Sequence, residues 1–263
     1  MKVLHQKITN LLAAYTGRWG IVIINKSTEE VLAINPERLF PAASMIKVPI
    51  MYEIMKQAAE GTIDLEASLA VTNDVRVGGA GILQELRPGI IMTVRELVTL
   101  MIVLSDNTAT NMLIELVGMH AVNTTMTDLG LKSTVLRRQM MDFAAAQAGK
   151  ENSTCAADVA LLFQIIDSHR HLPLEYGTLM MDILKRQQVR DKLPFYLPEE
   201  IVLANKTGTL AGVEHDGGIL FLPRSSYIIA ILTADLTINY QGLQLVASIG
   251  KVIYDHFIAE EKL

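Results

Sequence analysis

The 263-residue sequence predicts a mixed α/β (α+β) fold: an antiparallel five-stranded sheet formed from both termini with flanking helices, plus an inserted all-helical domain. Three observations carry this reading. Short apolar runs bounded by turn residues gather at the two ends, helical patterns fill the middle, and no repeat or low-complexity linker divides the chain. The expected division is 1–40 with 191–263 for the sheet and 41–190 for the helices.

Taken in order, Ile8, Leu11, Leu12 and Tyr15 recur at the spacing of an amphipathic helix. WGIVIIN (19–25) and EVLAIN (30–35) flank the polar KSTE, which reads as a hairpin. A helix is expected from about Ser44 to a stop at Gly61, with Pro49 distorting its first turns. The segment 60–190 reads as mostly helical. Thr93 and Glu96 form a capping-box pattern at the head of an apolar helix over 93–107, and 107–118 and 154–167 supply two more. EIVLANKTG (200–208), GGILFLP (217–223) and SYIIAILT (226–233) are strands, the last two joined through Pro223-Arg-Ser-Ser, and 243–261 is a closing helix. Met45, Met51, Met55, Met101 and Met112 fall at core spacings.

Composition narrows the function classes. Half the residues are hydrophobic, enough for a substantial core. Net charge is −5 with no basic stripe, which argues against a nucleic-acid partner. Cys155 is the sole cysteine, so no intrachain disulfide can form, and it reads as a small buried hydrophobe. No run of about 18 apolar residues suggests a membrane span. His5, Gln6, Lys7 and Asn10 interrupt any export-signal core, so the chain as written is expected to be cytoplasmic, or secreted or periplasmic if it is a mature form. His169-x-His171 lacks a third metal ligand, Gly78-Gly79-Ala80-Gly81 lacks the Lys-Ser/Thr of a phosphate loop, and no G-x-S-x-G elbow occurs.

Three short motifs carry chemistry: Ser44-Met45-Ile46-Lys47, Ser105-Asp106-Asn107 and Lys206-Thr207-Gly208. Ser44 and Lys47 at i and i+3 share a helix face. A serine hydroxyl attacks well only when a base takes its proton, and a desolvated lysine can be that base. A helix start also offers backbone N–H groups to an oxyanion. Ser105 can relay a proton to a leaving nitrogen, and Asn107 offers an amide donor and a carbonyl acceptor. Lys206 and Thr207 supply a cation and a hydroxyl for a carboxylate, while Gly208 admits close backbone approach.

Together with FPAASMIKVP, GAGILQEL, TLMIVLSDNTATNMLIELVG and KTGTLAG, these motifs resemble the class A serine β-lactamase family over about residues 3–260, in its broad β-lactamase and penicillin-binding-protein sense. The resemblance implies a β-lactamase/transpeptidase-like fold and opening of β-lactam amides through a Ser44 acyl-enzyme. Lys47 would serve as base or relay, Ser105 as proton shuttle and Asn107 as substrate binder. Lys206, Thr207 and Gly208 would form the carboxylate side, with the N–H groups of Ser44 and Thr209 as oxyanion hole. It implies no cofactor and no metal, a small β-lactam or peptide-like substrate, and a monomer.

The chain departs from the family in its R-x-E-P-x-x-N run. Arg138 matches the arginine, but Met140 stands where the water-activating glutamate belongs and no proline follows. Asp142 is the nearest acid and Glu151 the next. Asp142 is therefore entered as the candidate deacylation base, against a helix cap or an ion pair with Arg137 or Arg138, and deacylation is expected to be slow. For the substrate carboxylate, His215 is the candidate at the site edge, with Arg190 and Lys192 as other cations. The competing readings are a penicillin-binding, DD-peptidase-like or esterase-like hydrolase, and a non-catalytic β-lactam-binding sensor.

Overall fold

The computed structural model describes residues 1–261. The chain opens with α1 (Lys2–Leu12), β1 (Arg18–Asn25), β2 (Val31–Ile34) and the two-residue β3 (Phe40–Pro41). A 3₁₀ turn (Ala43–Ile46) leads into α2 (Lys47–Ala59). β4 (Ser68–Val71) pairs with β5 (Ile90–Thr93), and α3 (Val94–Val103), α4 (Asn107–Val117), α5 (Met119–Asp128) and α6 (Phe143–Gln147) follow. β6 (Ser153–Thr154) pairs back to β3 and precedes α7 (Ala156–Ser168) and α8 (Leu174–Lys185). The chain ends with β7 (Val202–Leu210), β8 (Val213–Phe221), β9 (Ser226–Ala234) and α9 (Asn239–Glu261).

The main sheet has the order β2-β1-β9-β8-β7, with every neighbour antiparallel. The two N-terminal strands thus pair with three C-terminal ones, through β1 against β9. Alternation along β1 divides the core: Ile21 and Ile23 face α1 and α9, while Val22 faces the helices. The smaller core is pinned by Tyr227 stacked on Phe257, with ring centroids 3.6 Å apart. The larger core holds all five methionines expected to be buried. Among the described residues no helix is long and apolar enough to cross a membrane.

Three local outcomes differ from the sequence expectations. The helix expected over 93–107 ends at Val103, because the chain turns left-handed at Ser105 (φ 57°), and Asp106 caps α4 through Ala109 N at 2.9 Å. The capping box at Thr93 and Glu96 forms as expected. Pro49 does not interrupt α2: the helix begins only at Lys47, so Pro49 lies in its first turn, where its missing N–H has no intrahelical partner to lose. β8 begins at Val213 rather than Gly217, since Glu214, His215 and Asp216 are buried strand residues whose polar atoms find partners on other elements.

Candidate active site

The S-x-x-K residues sit at a forced junction. Ala42 N donates to Asn152 O at 2.7 Å, Ala43 adopts φ 46°, and the 3₁₀ turn then starts the helix. A left-handed alanine costs about 1–2 kcal/mol, so the surrounding contacts must hold it. One of them is β7: a Cβ at Gly208 would lie 3.1 Å from the Ala43 Cβ and 3.3 Å from Ser44 N. The closeness of this packing thus favours the glycine of K-T-G.

Lys47 is fully buried and spends its hydrogen bonds on S-D-N. Its Nζ donates to Ser105 O at 2.6 Å, Ser105 Oγ at 3.1 Å and Asn107 Oδ1 at 2.9 Å. Burial pushes its pKa down to about 7, against a smaller opposing pull from Asp106. Lys206, also fully buried, donates to Ser105 Oγ at 3.1 Å and Thr207 O at 2.7 Å. Burial first, then the charges of Lys47 and Lys192, hold it well below the ordinary lysine value. The Ser105 hydroxyl therefore lies between two amines that are at most about 6 Å apart. At an effective dielectric of about 20, two ammonium ions at that distance repel by about 3 kcal/mol. Such a pair favours holding one proton fewer than two free lysines, with a hydroxyl between them that can pass it.

Asp106 positions this group. Besides capping α4, it accepts Ile82 N at 2.7 Å and Leu83 N at 2.9 Å, tying the 78–83 loop to the motif. Asn107 completes the tie, with N to Ala80 O at 2.9 Å and Nδ2 to Gly78 O at 3.0 Å. Gly81 (φ 112°) is needed here, because a Cβ would fall 2.3 Å from the Asp106 carboxylate.

A cleft of about 170 Å³ opens over Ser44, lined also by Asn107, Thr209, Met140, Met141 and Glu151. Its loop wall is braced by side chains that line it, Asn152, Arg138 and Glu151, and by Asn111 behind it. Asn152 Oδ1 accepts Arg137 N at 2.7 Å and Arg138 N at 3.0 Å, and its Nδ2 donates to Arg138 O. Buried Arg138 grips Glu151 Oε1 through Nε at 3.0 Å and Nη2 at 2.8 Å. Asn111 brackets Met140, donating to its carbonyl at 3.1 Å and accepting its N–H at 2.8 Å. The brace of Asn111 and Asn152 was not foreseen; the polar ENST at the end of the loop was the sequence signal for Asn152, and Asn111 had none.

Asp142 is exposed, caps α6 by accepting Ala145 N at 2.9 Å, and does not line the cleft. Glu151 reaches the cleft, but its Oε1 is committed to Arg138 and to Asn152 N. His215, expected at the site edge, is fully buried with both ring nitrogens hydrogen-bonded to backbone. Lys192 is also buried, 3.2 Å from Glu214 and 3.2 Å from Thr209 Oγ1, so the cation beside Thr209 already has a counter-ion. Arg190 is exposed. Thr207 is buried on β7 next to Lys206.

A buried hydrogen-bonded cluster of Lys47, Ser105 and Lys206, with half-buried Ser44 lining the cleft beside it, suits a serine hydrolase. A family model described as the beta-lactamase enzyme family matches residues 3–257, and the chain belongs to that family. Among solved structures it is similar to a beta-lactamase from Sphaerobacter thermophilus, at 31% identity over 94% of this chain and 95% of the other, with a TM-score of 0.87. It is also similar to PBP-A, solved as a leucine-to-glutamate mutant in an acyl-enzyme complex with penicillin G, at 29% identity over 100% and 98% and a TM-score of 0.90. Beta-lactamase VEB-1 of Pseudomonas aeruginosa is 22% identical over 96% of this chain and 89% of that relative. The protein is a class A β-lactamase-like serine hydrolase.

Proposed function

We propose that Ser44 opens β-lactam amides to an acyl-enzyme that this protein releases slowly. The observation that carries the proposal is Met140. It lies in the cleft wall, bracketed by Asn111, and brings a thioether to a place where hydrolysis needs a base. In this reading Lys47, kept partly neutral by burial, takes the Ser44 proton. Ser105 passes a proton to the leaving nitrogen, and Asn107, Lys206, Thr207 and Gly208 hold the substrate. The oxyanion is received by the N–H groups of Ser44 and Thr209.

Acylation is then complete in its parts and deacylation is not. Loss of a general base costs about 10²–10⁴-fold, or about 3–5 kcal/mol of barrier. The geometry favours a cap role for Asp142 over a part in hydrolysis, and His215 is proposed below to act away from substrate. The same methionine, with the likeness to PBP-A, favours a penicillin-binding protein as the second reading, in which a peptide-like amide is the natural substrate.

The test follows a chromogenic cephalosporin and intact mass together. A lasting adduct abolished by Ser44→Ala, with slow colour, is expected. Rapid colour without an adduct would remove the slow-release half of the proposal, and neither colour nor adduct would remove all of it. Asp142→Asn should leave adduct lifetime unchanged.

A further inference from the structure

The oxyanion site is assembled from two separate pieces of chain. Ser44 N belongs to the segment leaving β3, whereas Thr209 N belongs to β7. The close packing of Gly208 against Ala43 brings the pieces together, but apolar contact does not fix their relative slide. One side chain bonds the Ser44 segment to β8, the strand paired with β7. His215 sits on β8 as the ladder partner of Gly208, one residue from Thr209. Its Nε2 lies 2.8 Å from Pro41 O, three residues before Ser44.

The tautomer follows from the other nitrogen. Thr233 N–H donates to Nδ1 at 3.1 Å, so Nδ1 carries the lone pair and the proton is on Nε2, where it donates to Pro41 O. Burial pushes the imidazole down to about 4, which keeps this neutral form throughout the neutral range. Phe40 meets the ring edge-on, with centroids 6.1 Å apart, and fixes its plane. On the far side of the same segment, the Ala42-to-Asn152 hydrogen bond ties it to the cleft loop. The approach to Ser44 is thus held from β8 by His215 and from the loop by Asn152, with the left-handed Ala43 directly after.

We propose that His215 is a positioning residue that sets the spacing of the two oxyanion-hole N–H groups by bonding the K-T-G hairpin to the chain entering Ser44. It touches no substrate. The inference rests on Ser44 being the nucleophile, but not on the substrate being a β-lactam.

The probe is phenylboronic acid, whose tetrahedral serine adduct puts an oxygen in the oxyanion hole of any serine hydrolase. Its affinity is measured for the wild type, Ser44→Ala, His215→Asn and His215→Gln, each with a melting temperature. Asparagine keeps an acceptor for Thr233 N–H but falls short of Pro41 O, whereas glutamine can place its Nε2 where the imidazole Nε2 lies. The expected result is binding abolished by Ser44→Ala and weakened at least about tenfold by His215→Asn, part of the about 10²–10³-fold effect of deleting one hole donor. Glutamine should restore it to within about threefold. Equal affinity in the wild type and both variants overturns the proposal. So does equal weakening in both that tracks melting temperature, since that marks packing alone.

A wild type that binds no phenylboronic acid has no working hole and overturns it as well. If phenylboronic acid binds through Ser44 but penicillin G leaves no adduct, the β-lactam reading fails and the role of His215 stands. Should His215→Asn not fold, ¹⁵N NMR of the wild type decides. A hydrogen-bonded Nε2–H tautomer is expected, and an Nδ1–H tautomer overturns the proposal.

Discussion

Acidification should switch off acylation of Ser44 with a midpoint near pH 7. Lys47 can act as a base only while neutral, and burial lowers it from 10.5 to about 7. Its neutral fraction is then about one half at pH 7 and falls about tenfold per unit below, to about one in a hundred at pH 5. An unshifted lysine would be neutral only about once in three thousand at pH 7. Burial thus supplies about 10³-fold in available base, equivalent to about 4 kcal/mol at about 1.36 kcal/mol per unit. The assay is single-turnover acylation by penicillin G, quenched and read as the acylated fraction by intact mass between pH 5 and 9. A melting curve at each pH separates lost chemistry from lost structure. The rate should rise about tenfold per unit up to pH 7 and then level. A flat profile from 5.5 to 8, or one still climbing above 9, would refute the assignment of Lys47 as a base made available by burial.

Asn152→Ala removes the acceptor of two backbone N–H groups, one of them buried, and a donor to the buried Arg138 O, and should cost about 2–4 kcal/mol. Denaturant titration reads the loss, and limited proteolysis should cut first within residues 139–151. Gly81→Ala drives a Cβ into the Asp106 carboxylate at a φ that alanine resists, so acylation should fall at least tenfold; an unchanged rate, read with circular dichroism as a fold control, would contradict the role given to that tie. His215 titrates at about 4 in the folded protein against 6.5 ordinarily, so its contribution to stability is whole above 6.5 and lost as pH falls through 4. Between pH 7 and 4 the wild type should lose about 2–3 kcal/mol more than His215→Gln in urea unfolding. Burial raises Asp216 to about 6, so its contribution has the opposite sign, present at low pH and lost as pH rises through 6, and the comparison cancels it.

How much was legible follows from where each residue finds its partners. Period-two and helical apolar patterns are local, and they placed the five strands of the main sheet, the early helices and α9 to within a few residues. The three motifs were legible because their residue types state a chemistry, and Lys47, Ser105 and Lys206 do meet in one hydrogen-bonded cluster. What escaped is nonlocal. Glu214, His215 and Asp216 were left outside the strand expected over 217–223 because Asn239, Pro41, Thr233, Leu193 and Asn205, which satisfy them, are distant in sequence or on other strands. The break at Ser105 was hidden by the apolar flanks of α3 and α4, and the β4–β5 ladder by its brevity. Asp142 showed its charge in the sequence, but only the fold shows which way it serves: toward α6 and solvent.

The hydroxyl shared by two buried amines links recognition to activation. An anion arriving beside Lys206 stabilises the ammonium form there. Because that amine and Lys47 disfavour charge together, settling the proton on Lys206 leaves Lys47 with its lone pair free. In the proposed mechanism a carboxylate guest therefore raises the neutral share of Lys47 above the roughly one half that burial alone gives at pH 7, and so sharpens the attack on itself. Selectivity of this kind needs no moving lid, only one proton with two places to rest.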